Sequence, residues 1–145
     1  MYTPIMDKKQ DPINYKLVEL LNQTVKLEYA LIIHYPRIAS AIRDPEAKKL
    51  AQSLGTASIA HLDTVIDTLT KLGGTPRWSF ESFPNELNLR KVFQIQLEKE
   101  KLALRLHQQI AGMTMDADLR DKFNELSREE GSHVKIVEEI LSKLD

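Results

Sequence analysis

The stretch Arg128-Glu129-Glu130-Gly131-Ser132-His133 decides how the rest of this chain is interpreted. Glu130 and His133 are three residues apart, so on a helix their side chains lie next to each other on one face. Around them that face is apolar, with steps of four and three residues between Leu119, Phe123, Leu126, Val137, Ile140 and Leu144. A carboxylate in the middle of a buried face needs a cation, an ion-pair partner or a metal. The stretch therefore predicts an amphipathic helix that carries part of a buried charged site.

Three other segments have the same helical pattern. Asp11-Pro12 opens the first helix and Asp44-Pro45 opens the second, because Asp caps a helix and Pro fits its first turn. Gly73-Gly74 ends the second helix, and Pro84 marks the start of the third. No stretch alternates like a strand, so the sequence predicts an all-α fold of four helices.

Each of these helices also has polar residues on its apolar face. They are Glu28 on the first helix, Ser58 and His61 on the second, and Glu100 on the third. Glu28 lies 16 residues before the turn at Asp44, and His61 lies 17 residues after it. In an antiparallel hairpin these two positions meet at one depth. The polar residues are therefore predicted to form one layer across the bundle.

An internal repeat supports this arrangement. Alignment of the second half of the chain on the first, at one constant offset and without a gap, places Pro84 on Pro12, Glu100 on Glu28 and His133 on His61. The chain is therefore predicted to consist of two similar helical hairpins. The connection between them, residues 73–84, could reach roughly 40 Å when extended and so could cross the bundle from end to end. Its aromatic residues Trp78, Phe80 and Phe83 are expected to pack against the helices.

Composition limits the classes of function. The 145 residues suffice for one domain, which we assign to residues 1–145 with an N-terminal tail over residues 1–11. The formal net charge of -1 favours neither nucleic acid nor an anionic membrane as a partner. The absence of cysteine excludes disulfides, thiolate zinc sites and iron-sulfur clusters. No segment has the length and polarity of a signal peptide or membrane span, so we expect a soluble cytoplasmic protein.

With a Glu on two helices and a His three residues after a Glu on another, the chain resembles the ferritin-like superfamily over about residues 12–144. The resemblance is strongest to bacterioferritins and to the bundle domain of rubrerythrins. It implies a di-iron carboxylate four-helix bundle with a long crossover. The implied metal ligands are Glu28, His61, Glu100, Glu130 and His133. Glu28 and His61 would hold one ion, Glu100 and His133 the other, and Glu130 would bridge them. Tyr35 matches a tyrosine that bacterioferritins place near their metal pair, and we expect it to take part in catalysis.

The sequence departs from the family pattern at several positions. Ser58 stands where the second helix should carry its bridging Glu, which leaves occupancy by the second ion open. Ile59 stands where bacterioferritins carry their haem-ligating Met, so haem is not expected. Without cysteine there is no rubredoxin-type module. The sequence ends with the fourth helix and lacks the fifth helix of ferritin cages, so we expect a homo-oligomer that is a dimer and not a closed cage.

The resemblance implies a protein that binds two iron ions, with manganese as an alternative metal. Such a protein would react Fe(II) with dioxygen or peroxide, in iron oxidation and handling or in peroxide reduction, as a ferroxidase-type or peroxidase-type oxidoreductase. The alternative is a degenerate ferritin-like bundle that forms oligomers or binds a protein partner with little or no metal. In that case Glu28 would pair with His61, and Glu130 with His133, as a buried polar layer.

Three more polar residues are assigned roles outside the ligand set. His107 lies inward, two helical turns after Glu100, and is expected to be a core residue or a neighbour of the ligands. His34 points away from the apolar face and is expected at the surface or an interface. Glu129 is expected to be solvated, although it could replace a ligand if the fourth helix were rotated.

Overall fold

The computed structural model describes residues 11–79 and 81–144 of the chain. Its four helices are α1 (Pro12–Ala39), α2 (Pro45–Lys71), α3 (Leu89–Met113) and α4 (Ala117–Lys143). The described residues contain no strand, which confirms the prediction of an all-α fold. Among these residues no helix is both long enough and apolar enough to cross a membrane. The predicted N-terminal tail lies outside the described residues except for Asp11.

Side chains cap all four helices at the N-terminus. The Asp11 carboxylate accepts hydrogen bonds from the backbone N–H groups of Ile13 and Asn14, and Asp44 and Asp116 cap α2 and α4 in the same way. A cap of this type is worth about 1 kcal/mol relative to alanine. After α2 the chain turns at Gly73, whose φ of 80° lies in the left-handed region that favours glycine.

The helices pack as two hairpins, α1 with α2 and α3 with α4, which meet through α1–α3 and α2–α4 contacts. The apolar core is divided into two clusters. One contains Leu21, Val25, Val65 and Phe123, and the other contains Tyr35, Leu54, Phe93 and Ile140. Each fully buried large apolar side chain stabilises the fold by about 1.5–3 kcal/mol. Between the two clusters lies a layer of buried polar side chains.

The segment between α2 and α3 follows α1 along its length. It contacts α1 in chain order, with Leu72 on Asn14, Thr75 on Asn22, Trp78 on Tyr29, Glu81 on His34 and Phe83 on Arg37. The connection therefore crosses from one end of the bundle to the other, as the sequence predicts. Phe80, which is expected to pack here too, lies outside the described residues.

Helix α3 begins at Leu89, three to five residues after the predicted start near Pro84-Asn85-Glu86. The Glu86 carboxylate accepts a hydrogen bond from the backbone N–H of Asn88, and the Asn88 side chain caps the helix by accepting from the N–H of Lys91. The backbone N–H groups of Asn88 and Lys91 thus bind side chains, not the backbone carbonyls that a helix starting at Pro84 would offer them. The crossover is therefore longer than residues 73–84.

His34, for which the sequence predicts a place at the surface or an interface, is instead covered by the crossover of the same chain. His34 is fully buried, and its Nε2 lies 3.0 Å from the carbonyl oxygen of Glu81 in the crossover. The Phe83 ring packs edge-on against the imidazole at a centroid distance of 5.5 Å. A four-helix bundle without the crossover would leave this face of α1 open, so burial of His34 follows from where the crossover docks.

Acidic pH is expected to loosen the crossover through His34. Burial lowers the pKa of His34 from its ordinary value of 6.5. A histidine whose pKa is depressed in the folded state stabilises that state above its ordinary pKa, and the stability is lost as pH falls through the folded pKa. The fluorescence of Trp78, the only tryptophan, should therefore change as pH falls below about 6.5.

A His34→Phe variant tests the assignment. It should remove this acid transition and cost about 1–3 kcal/mol at neutral pH, because the Glu81 carbonyl loses its donor. The measurements are a pH titration of Trp78 fluorescence and urea unfolding at neutral pH. An acid transition that is the same in both proteins would contradict the role assigned to His34.

Candidate metal centre

Three fully buried carboxylates lie in the polar layer. Glu28 comes from α1, Glu100 from α3 and Glu130 from α4. Burial raises the pKa of Glu28 to about 7, although His61 beside it acts in the opposite direction. Carboxylates this deep in a helical bundle are retained only where positive groups neutralise them.

His61 on α2 is the positive group nearest to two of these carboxylates. Its Nδ1 lies 2.8 Å from Glu130 Oε1 and 3.6 Å from Glu28 Oε1. Its Nε2 lies 2.6 Å from Glu129 Oε2, on the outer side of the layer. Burial alone would lower the pKa of His61, but its contacts with Glu130 and Glu28 outweigh burial and raise the pKa to about 11.

His133 on α4 lies between the other pair of carboxylates. Its Nδ1 is 3.4 Å from Glu100 Oε2 and 3.5 Å from Glu130 Oε2. Its ring stacks on that of His61, with the centroids 5.1 Å apart. Glu100 and Glu130 raise the pKa of His133 to about 9, although burial alone would lower it. The neighbouring carboxylates therefore favour the protonated form of both imidazoles.

Tyr35 and His107 occupy equivalent positions between α1 and α3. The Tyr35 hydroxyl on α1 donates a hydrogen bond of 3.1 Å to Glu100 Oε1 on α3. His107 on α3 places its Nε2 3.8 Å from Glu28 Oε1 on α1. The internal repeat relates Tyr35 to His107 and Glu28 to Glu100. The two contacts are thus counterparts in the two halves of the chain. Burial raises the pKa of Tyr35 and lowers that of His107.

Ser58 is fully buried on α2, one turn before His61. Its hydroxyl donates a hydrogen bond of 3.1 Å to the carbonyl oxygen of Leu54 in the same helix. Ser58 therefore satisfies its hydroxyl within α2 and adds no carboxylate to the layer.

The donor atoms of the layer fit a cation. Several buried atoms have no hydrogen-bond partner, namely both Glu28 oxygens, Glu100 Oε2, Glu130 Oε2, His133 Nδ1 and both ring nitrogens of His107. Buried polar atoms without partners are rare in proteins and call for an ion, a water molecule or a ligand. Two groups of three residues bring their ligand atoms within 4.8 Å of one another, His61-Glu130-His133 and Glu28-His107-Glu130. Glu130 belongs to both groups, so the layer offers two adjacent cation positions that share one carboxylate.

The structure brings all five residues of the predicted ligand set into this layer, together with Tyr35. The ligand atoms group differently from the expected pairs, because His107 joins Glu28, His61 joins His133, and Glu100 belongs to neither group. For Glu129 the sequence predicts a solvated side chain but not its contact with His61. Glu129 is half-exposed and contacts His61. His107 follows Glu100 by seven residues, just as Tyr35 follows Glu28 by seven. This spacing is the sequence signal that could have indicated that His107 lies close to the layer.

A pocket between α2 and α4 leads from the surface to this layer. Its volume is about 500 Å³, and His61 and Glu129 form part of its wall. Three further carboxylates line it, those of Asp67, Asp121 and Glu125. Lys122 also lines the pocket, and Asp67 and Glu125 form ion pairs with Lys71 and Arg128, so the pocket gives a path of mixed charge to the outer side of His61.

Four helices around a layer of buried carboxylates and imidazoles are the arrangement of ferritin-like helical bundles. The chain belongs to the ferritin family, since the model of the ferritin-like domain matches residues 18–145. This match confirms the resemblance drawn from the Glu and His pattern. No curated protein sequence matches the chain closely enough to count as a relative.

Solved structures with the same fold include several ferritin-like proteins. A ferritin-like, diiron-carboxylate protein from Bacillus anthracis aligns with a TM-score of 0.82 and 18% identity, covering 91% of this chain and 99% of that one. A dodecameric thioferritin from Bacteroides fragilis aligns with a TM-score of 0.79 and 16% identity, covering 90% and 86%. Bacterioferritin from Rhodobacter capsulatus, described with a metal-free dinuclear site and haem iron, has a TM-score of 0.71, 24% identity and coverage of 88% and 84%. At these identities the likeness establishes the fold.

Proposed function

We propose that this chain binds two metal ions in the buried layer and handles iron, either by oxidising Fe(II) or by reducing peroxide. The observation that carries the proposal is the shared carboxylate Glu130 between two groups of buried donor atoms, several of which lack any partner. Proteins with the same fold include one described as a diiron-carboxylate protein. Manganese is the alternative metal for the same oxygen and nitrogen donors.

The proposed ligand roles are those that the family resemblance implies. Glu28 and His61 would hold one ion, Glu100 and His133 the other, and Glu130 would bridge the two. Tyr35 would orient Glu100, because its hydroxyl donates to one oxygen of that carboxylate. Iron in this layer would supply the electrons that dioxygen or peroxide accepts.

Ser58 makes this layer more positive than one with two bridging carboxylates. Three carboxylates against two divalent ions leave one net positive charge, whereas a fourth carboxylate would give neutrality. The excess charge favours a small anion, hydroxide or peroxide beside the ions. We infer that Ser58 makes the chain a slower or modified catalyst relative to family members with the full ligand set.

Surroundings of the layer suit the same function. Glu129 would orient the His61 ring by accepting from its outer nitrogen, the arrangement found for most metal-binding histidines. The pocket between α2 and α4 would give ions access to that ring. Ile59 offers no haem ligand, so the proposal includes no haem.

We also propose a homo-oligomer, since the Bacteroides fragilis structure is described as dodecameric, with a dimer as the expected assembly of this chain.

Metal titration tests the proposal directly. The protein, first stripped with chelator, should bind two Fe(II) or Co(II) ions per chain under anaerobic conditions, measured by calorimetry and elemental analysis. Admission of air to the iron form should then produce near-ultraviolet absorption from oxidised iron. Absence of binding would contradict the proposal and favour a bundle that serves as an oligomerising or partner-binding module.

A further inference from the structure

His107 is a buried histidine that is not among the proposed metal ligands. Its side chain is fully buried in α3. Neither ring nitrogen makes a hydrogen bond of normal geometry among the described residues, although the backbone carbonyl of Leu126 lies close enough to act on its pKa. A buried imidazole normally satisfies at least one nitrogen, because water would otherwise solvate it better than the protein does. An unpaired ring nitrogen of His107 is therefore expected to bind an ion, a water molecule or another ligand.

That site adjoins Glu28. His107 Nε2 lies 3.8 Å from Glu28 Oε1, an oxygen that also has no hydrogen-bond partner. Glu130 completes a group whose ligand atoms lie within 4.8 Å of one another. Two donors that are each about 2.1 Å from one ion lie about 3–4 Å apart. The separation of His107 from Glu28 therefore suits two ligands of the same ion.

The repeat shows what is unusual about this residue. Its counterpart in the first half of the chain is Tyr35, which donates a hydrogen bond to one oxygen of Glu100. His107 makes no such hydrogen bond to Glu28. The chain thus lacks a carboxylate at Ser58 and has, within reach of Glu28, an imidazole with a free nitrogen.

We infer that His107 is a metal-binding residue, which supplies an imidazole nitrogen to the ion held by Glu28 and Glu130 and so replaces a donor that Ser58 cannot provide. The inference rests on the proposed function and adds a ligand to it. Because imidazole is a neutral ligand, His107 restores a donor atom and leaves the net positive charge of the layer unchanged. The position near Glu28 therefore gains a ligand that the position near Glu100 does not have.

The four histidines of the chain provide the sharpest test. NMR spectra of protein with isotope-labelled histidine rings are recorded during titration with Zn²⁺ or Cd²⁺. The nitrogen signals of His61, His107 and His133 should all shift to metal-bound values, while those of His34, buried against the crossover, should not. Shifts of His61 and His133 alone would overturn the inference and leave the proposed function standing. No shift in any ring would overturn both.

Two variants give a second, independent readout. His107→Gln should weaken one of two Co(II) binding events by roughly 10- to 100-fold, and Ser58→Glu in the His107→Gln background should restore it. His34→Gln, which also removes a buried histidine, should bind cobalt like the wild-type protein. Circular dichroism of the metal-free proteins checks that each variant is folded. Equal numbers and affinities of bound ions in His107→Gln and the wild-type protein would overturn the inference.

Discussion

Glu130→Gln is expected to abolish tight binding of both metal ions with a single substitution. Glu130 belongs to both groups of donor atoms, so its loss affects each ion. Glutamine has nearly the same size and fits the fully buried position, but it carries no charge to attract a divalent cation. We expect the affinity for each ion to fall by about 100-fold or more, beyond the 10- to 100-fold typical of a residue that only orients a ligand. Calorimetric titration with Co(II) measures the change.

Thermal and urea unfolding with and without metal give a second measure of this effect. At a free metal concentration a hundredfold above Kd, each ion should stabilise the wild-type protein by about 2.7 kcal/mol, and Glu130→Gln should show almost none of this gain. Each variant is compared with its own metal-free form, because the substitution also removes the charged hydrogen bond to His61. Glu138→Gln, an exposed position on the same helix, is the control and should behave like the wild-type protein. Metal-induced stabilisation of Glu130→Gln equal to that of the control would contradict the shared role of Glu130.

The helices and their starts could be predicted largely from local chemistry. Asp11 and Asp44 cap α1 and α2 as the sequence indicates, and the apolar periodicity marks the face that each helix buries. The start of α3 could not be predicted in this way. Pro84-Asn85-Glu86 has the composition of a helix start, but the Glu86 carboxylate binds the backbone of Asn88. Local propensity alone does not distinguish these two uses of the same side chain.

The polar layer could also be anticipated, because a polar residue on an apolar helix face is conspicuous and the repeat gives its depth. Contacts within the layer depend on how neighbouring helices are aligned, and this alignment cannot be inferred from the sequence of any single helix. His107 and Tyr35 reach opposite carboxylates only because α1 and α3 pack in one particular alignment. Glu129 contacts His61 because α2 packs close to that side of α4. Burial of His34 likewise depends on the crossover, a segment without helical periodicity.

Ser58→Glu is expected to destabilise the metal-free protein strongly and to make its stability depend on metal. The position is fully buried beside the layer that already contains Glu28, Glu100 and Glu130. A fourth carboxylate there would lack a cation in the metal-free form, at a cost of about 3–5 kcal/mol, the range measured for uncompensated buried charges. Metal ions would neutralise it, so the variant should gain more stability from Co(II) than the wild-type protein does. Urea unfolding with and without Co(II) measures both effects.

Ser58→Gln separates charge from size in this experiment. Glutamine adds nearly the same volume as glutamate, and overpacking alone costs about 1–3 kcal/mol whether or not metal is present. Both variants also lose the hydrogen bond from Ser58 to the Leu54 carbonyl, so that loss cancels in the comparison. Only the charged variant should regain stability with metal, and only it should oxidise Fe(II) faster than the wild-type protein if the missing carboxylate limits the reaction. Equal stabilities of the two variants, both with and without Co(II), would mean that a side chain at position 58 does not reach the metal layer. The ligand roles assigned to Glu130 and His107 would then have to be explained without a vacant carboxylate position on α2.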